Sequence, residues 1–150
     1  LNGYLLDTSV LSILAPDRTA RSPDFQAWLS RVGRRHTWYV PAIAAAEVQK
    51  GIAKLRRAGG IDRAERLERW LDNLLVEFDE RVLSIGSAIA RRAGEMDDAA
   101  IARGRSPGLP DILIAATALE HDLTILTANN RHFEALEVAN LNPFGAEPKA

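Results

Sequence analysis

Short apolar runs alternate with longer amphipathic stretches along the whole chain. Gly3-Tyr4-Leu5-Leu6 reads as a buried strand that stops at Asp7. Thr37–Val40 has the composition of a second strand, and Pro41 closes it. Arg81–Ile85, Leu123–Thr127 and Val138–Leu141 are further strand candidates. Between these runs the apolar residues recur at helical spacing. Thr8 and Ser9 can cap a brief helix through Leu14, ahead of Pro16. A helix from Pro23 to about Arg34 places Phe25, Leu29 and Val32 on one side. Residues 42–58 carry Ala44, Val48, Ile52 and Leu55 on a stripe, and Gly59-Gly60 ends it. Residues 61–77 carry Leu67, Trp70, Leu71 and Leu74, so these two helices predict a hairpin. Another amphipathic helix covers residues 87–103, and Arg131–Leu136 is a short one. Asp111–Glu120 is apolar nearly all round, which predicts a buried helix. The tail from Gly145 is expected to be flexible.

Strands of this kind alternating with helices predict an α/β fold, with a parallel sheet covered on both faces. At 150 residues the chain suits one domain with a real core, and nothing in it reads as a repeat or a dividing linker. An apolar share of 47% against 26% charged fits a soluble globular protein. The net charge of -1 excludes a global basic field of the kind that advertises nucleic acid. All of the 19 basic residues except Lys50, Lys54 and Lys149 are Arg, a side chain suited to bidentate phosphate contacts. Genomic base composition explains that bias equally well, since the chain is also rich in Ala. With no Cys, disulfides and thiolate metal sites are excluded, and a cytoplasmic location is expected. No segment reads as a signal peptide or a membrane span.

Candidate chemistry rests on carboxylates set in apolar surroundings. Asp7 ends the first strand, Glu47 interrupts Ala44-Ala45-Ala46, and Asp111 follows Pro110 at the head of the most apolar helix. An unpaired buried carboxylate is costly. Convergence of all three around a divalent cation would account for them together. Singly, each has a plainer reading. Asp7 could cap the helix after it. Glu47 could be solvated at a helix edge. Asp111 suits the positive end of a helix dipole. In an open α/β sheet, functional groups gather at the carboxyl ends of the strands, where Asp7 lies. Gly51, one turn after Glu47, would leave room beside that carboxylate.

The motifs sharpen this picture. Leu5-Leu6-Asp7-Thr8-Ser9-Val10-Leu11-Ser12 resembles the opening motif of the PIN-domain family. Ala46-Glu47-Val48-Gln49-Lys50-Gly51 is similar to its second motif. Pro110-Asp111-Ile112-Leu113-Ile114-Ala115-Ala116-Thr117-Ala118 is similar to its third, and Leu123–Thr127 to the strand that follows. The ending Asn142-Pro143-Phe144 resembles the FitB-like branch of VapC toxins. The resemblance implies a PIN-like three-layer fold over residues 1–144, with a central parallel sheet of about four or five short strands. It implies a Mg²⁺- or Mn²⁺-dependent endoribonuclease in which Asp7, Glu47 and Asp111 are the catalytic, metal-holding acids. It also implies a homodimer and an antitoxin partner of the VapB or FitA kind.

The chain departs from the family at one place. A fourth acid often follows the last of these strands, within a Thr-Arg-Asn-x-x-Asp-Phe pattern. Here the stretch reads Thr127-Ala128-Asn129-Asn130-Arg131-His132-Phe133. His132 stands at the acid's position, as a second-metal ligand or as a ring pointing to solvent. Asn129 is a further site candidate or a turn residue. Lys50 and Lys54 are the expected RNA phosphate contacts, and Trp38 and Trp70 are expected in the core or at a dimer contact. A phosphatase of the haloacid-dehalogenase type is disfavoured, because Ser9 occupies the position of its second Asp and the only late Lys is Lys149. A degenerate PIN domain that binds RNA or a partner without cutting is the alternative reading.

Overall fold

A computed structural model describes residues 3–16 and 23–144. Its centre is a parallel sheet with the strand order β3-β2-β1-β4-β5. The strands are β1 (Gly3–Leu6), β2 (Thr37–Pro41), β3 (Val82–Leu83), β4 (Thr124–Leu126) and β5 (Asn140–Leu141). The helices are α1 (Thr8–Leu11), α2 (Pro23–Arg31), α3 (Ala42–Arg57), α4 (Ile61–Phe78), α5 (Ser87–Ala102), α6 (Leu109–His121) and α7 (Asn130–Glu134). Successive strand residues point to opposite faces. Leu5 and Ile125 pack with α5, α6 and α7 on one side. Leu6, Val40 and Leu126 pack with α1, α2, α3 and α4 on the other. The expected three-layer α/β fold follows, with β1 and β4 buried on both faces. Strands β1 and β2 approach so closely that a Cβ on Gly3 would lie 2.3 Å from the carbonyl oxygen of Thr37.

The predicted hairpin is α3–α4, closed by its own small core of Ile52, Ala64 and Leu71. Arg56 of α3 pairs with Glu68 of α4, and that guanidinium holds the Glu68 carboxyl below its usual range. Helix α6 buries Ile112, Ile114 and Ala115 through Ala118, as its apolar circumference predicts. Trp38 packs partly buried in the second core, and Trp70 joins the hairpin core.

Several boundaries differ from the periodicity. The strand expected over Arg81–Ile85 shrinks to Val82–Leu83, because its partner β2 ends at Pro41, opposite Leu83. The strand expected over Val138–Leu141 starts only at Asn140; Glu137 takes a positive φ of 57°, and the Val138 N–H turns back to the carbonyl of Phe133. Helix α2 ends at Arg31 and gives way to a 3₁₀ turn at Gly33–Arg35. A Cβ on Gly33 would meet the Trp28 ring at 2.6 Å, so this tight turn needs glycine. The brief helix after β1 is α1 followed by a 3₁₀ turn at Ser12–Leu14, and α7 ends at Glu134. The tail from Gly145 lies outside the described residues. Among the described residues, no helix is long and apolar enough to cross a membrane.

Candidate metal centre

The carboxyl ends of β1 and β4 meet side by side, and the Asp7 N–H donates to the Leu126 carbonyl at 2.9 Å. The parallel register therefore sets Asp7 against Thr127. Asp7 is only 5% exposed, and both of its carboxylate oxygens accept hydrogen bonds. Oδ1 accepts the Thr8 N–H at 2.8 Å, capping α1. Oδ2 accepts the hydroxyls of Ser9 at 2.9 Å and Thr127 at 2.8 Å. Those hydroxyls accept in turn the backbone N–H groups of Ala128 and Asn129. The loop after β4 is thus tied through two hydroxyls to one carboxylate. Capping is real here, but it engages only one oxygen of Asp7.

Glu47 comes from α3, which starts directly after β2. Its Oε1 accepts the Thr8 hydroxyl at 2.7 Å. Asp111 comes from the first turn of α6, and its Oδ2 lies 2.8 Å from Nδ1 of His132 on α7. The Asp111 carboxyl is pushed above its usual range by burial and then by the charges of Asp7 and Glu47; the His132 contact works in the opposite direction. Thr8 bonds Asp7 through its N–H and Glu47 through its hydroxyl, so these two acids are neighbours, and the Asp111 carboxyl takes repulsion from both.

The arrangement is not a ready-made cage. Among the described residues, no group of three or more His, Cys, Asp or Glu is arranged to hold a metal ion as the side chains stand. Glu47 is turned to Thr8 and Asp111 to His132. Like charges at one edge repel, and each acid takes its own donor. The donor set still fits a hard divalent cation, being all carboxylate oxygen. The Asp111 carboxyl is raised first by burial and then by the repulsion of Asp7 and Glu47, a cost that a bound cation would offset.

Of the tentative members, His132 does not simply point to solvent, although its side chain is 51% exposed. Asn129 is exposed at the start of α7, and its side chain makes no capping bond. Thr8, Ser9 and Thr127 hold the acids, a role that sequence reasoning missed by reading the first two as caps and the last as a strand end. The available signal was hydroxyl residues directly after both central strands.

A groove of about 650 Å³ opens beside Glu47, between α1 and the α3–α4 hairpin. Val48, Ile52, Leu55, Leu67 and Trp70 give it an apolar wall, and Lys54 and Arg63 also line it. Gly51 lines the same groove, and a Cβ there would meet nothing within 4 Å. Packing within the chain does not demand glycine at that position. Lys50 is exposed and lies outside the groove lining.

The model of the PIN domain matches residues 4–138. The chain belongs to the PIN-domain family. This PIN domain is 32% identical to "Toxin FitB" of Neisseria gonorrhoeae, over 93% of the chain and 97% of that protein. It is 30% identical to a VapC ribonuclease of Sinorhizobium fredii, over 93% of the chain and 96% of that protein. Its fold superposes on the crystal structure of FitAcB from Neisseria gonorrhoeae with a TM-score of 0.78 at 30% identity, covering 95% of this chain and 99% of that one.

Proposed function

We propose that this PIN domain is the toxin of a toxin–antitoxin pair and cuts RNA as a Mg²⁺- or Mn²⁺-dependent endoribonuclease. What supports the reading is the Thr8 bridge, whose N–H bonds Asp7 and whose hydroxyl bonds Glu47, together with the repulsion that the Asp111 carboxyl takes from both acids. Relatives similar over nearly the whole chain are named as a toxin and a ribonuclease. A cation bound there would supply positive charge against the charge that grows on phosphoryl oxygens during hydrolysis. The chain's own part is to hold the acids. Thr8, Ser9 and Thr127 fix Asp7, and the Thr8 hydroxyl also steers Glu47. Lys54, at the groove beside Glu47, is placed to meet an RNA phosphate.

The apolar groove next to the acids suits an antitoxin tail of the VapB or FitA kind, with an Arg reaching the carboxylates. A homodimer paired partly through C-terminal helices would cover Ile101 and Leu109, which are 60% and 56% exposed. Work in the cytoplasm follows from an RNA substrate.

The test is cleavage of RNA by the purified chain with Mg²⁺ or Mn²⁺ and with chelator, alongside divalent-cation binding on the same sample. Cation-dependent cleavage that stops at saturating antitoxin is expected. Cation binding with no cleavage of any RNA would favour the degenerate, binding-only PIN domain. His132 in place of the fourth acid, and the lack of a preformed cage among the described residues, are the observations on that side. A monomer by light scattering at micromolar concentration would remove the dimer.

A further inference from the structure

We propose that His132 is a positioning residue for Asp111, holding that carboxylate toward the cation without ligating it. The inference rests on the reading of Asp7, Glu47 and Asp111 as the cation's donors. Its starting point is the 2.8 Å contact between His132 Nδ1 and Asp111 Oδ2. With the ring proton on Nδ1, the imidazole donates to one oxygen of the carboxylate. The second oxygen carries no hydrogen bond among the described residues.

The same pattern recurs at Glu47, where the Thr8 hydroxyl holds Oε1 and leaves Oε2 without a hydrogen bond among the described residues. Both helix-borne acids are thus held by one donor on one oxygen. The segment from the end of β4 through α7 supplies two holds, Thr127 on Asp7 and His132 on Asp111. His132 is itself fixed at the start of α7, where its N–H donates to the Asn129 carbonyl at 3.1 Å. To ligate through Nδ1, the ring would have to abandon Asp111. Nε2 lies across the ring and points away from the carboxylate that Nδ1 faces. The ring is half exposed, whereas the Asp111 side chain it holds is 19% exposed. Partners of this outer kind orient a ligating carboxylate, and their loss costs about 10–100-fold in metal affinity or activity.

The test is Mn²⁺ binding to the full chain, followed by calorimetry and by electron paramagnetic resonance. His132→Ala should weaken Mn²⁺ binding by about tenfold or more. His132→Asn should recover much of that loss, since its amide nitrogen occupies nearly the place of Nδ1 and can donate to the same oxygen. Both variants should keep the parent's circular dichroism and melting temperature without metal, because the ring is half exposed on a short helix. Pulsed resonance on the Mn²⁺-loaded parent should show no directly coordinated nitrogen; this measurement needs no variant. A strong nitrogen coupling would make His132 a ligand and overturn the proposal. Mn²⁺ binding by His132→Ala at the parent's affinity would make it a bystander. A parent that binds no Mn²⁺ at all, no better than Asp7→Asn, would overturn the cation reading itself and this inference with it.

Discussion

The two halves of the acidic edge are built differently. Asp7 belongs to the sheet: it is buried, capped by its own helix and tied by hydroxyls to the neighbouring strand end. Glu47 and Asp111 belong to helices that pack on opposite faces, and each is held by a single side-chain donor. Strand register fixes the first acid whether or not anything is bound. On the proposed reading, the other two would rotate about their side chains if a bound cation offered more than their single donors do. The sheet thus provides the anchor, and the helices provide the adjustable partners.

The largest expected effect comes from removing the anchor. Asp7→Asn should reduce RNA cleavage at least about 100-fold, the upper range for loss of a merely orienting partner. Circular dichroism should stay that of the parent. Glu47→Gln should reduce cleavage as well, but by less, because an adjustable ligand is the easier one to replace. Equal losses at the two positions would erase the distinction between halves.

Stability separates them in the same order. Thr127→Val removes a fully buried hydroxyl that serves both Asp7 and the Asn129 N–H. Leaving such groups unpaired costs about 1–3 kcal/mol, readable as a fall in the denaturant midpoint. Thr8→Val, at a partly exposed site, should cost under about 1 kcal/mol. A larger loss for Thr8→Val would mean that Glu47 is as firmly built in as Asp7.

The pH response isolates Asp111. Its folded pKa lies above the usual value, so the group favours the fold when protonated. That stability is fully present below the unfolded pKa of about 3.9 and is lost as pH rises through the raised folded value. At neutral pH without divalent cation, Asp111→Asn should therefore melt above the parent, and the gap should close on acidification. Mn²⁺ should raise the parent's melting temperature more than the variant's, by mass action on the folded state. A variant that melts below the parent at neutral pH would show that the His132 bond outweighs burial and the two neighbouring charges.

How much of this was legible in the sequence follows the same division. The apolar runs at Gly3–Leu6 and Leu123–Thr127 located the central strands, because strands buried on both faces must be apolar throughout. The circumference of α6 and the stripes of α3 and α4 located the helices. What pattern could not supply was partnership. Edge strands β3 and β5 are as short as their neighbours allow, and that length depends on Pro41 and on the turn at Glu137. The three acids were visible as residues out of place. Their donors were not, because Thr8, Ser9 and Thr127 look ordinary at strand ends. His132 stood out only as a departure, and its bond to Asp111 required α6 and α7 to be placed together.

The smallest effect concerns the groove side, where the structure separates two lysines that the sequence treated alike. Lys54 lines the groove beside Glu47, whereas Lys50 is exposed outside that lining. Single phosphate contacts add little each, but they leave a mark in salt dependence. For single strands, each neutralised phosphate contributes about -0.7 to the slope of log affinity against log salt. Lys54→Ala should therefore weaken RNA binding severalfold at low salt, flatten that slope by about 0.7, and leave the turnover of bound RNA unchanged. Lys50→Ala should leave the slope as it is. Identical slopes for parent and Lys54→Ala would move the RNA path off the hairpin and leave the groove to a protein partner alone.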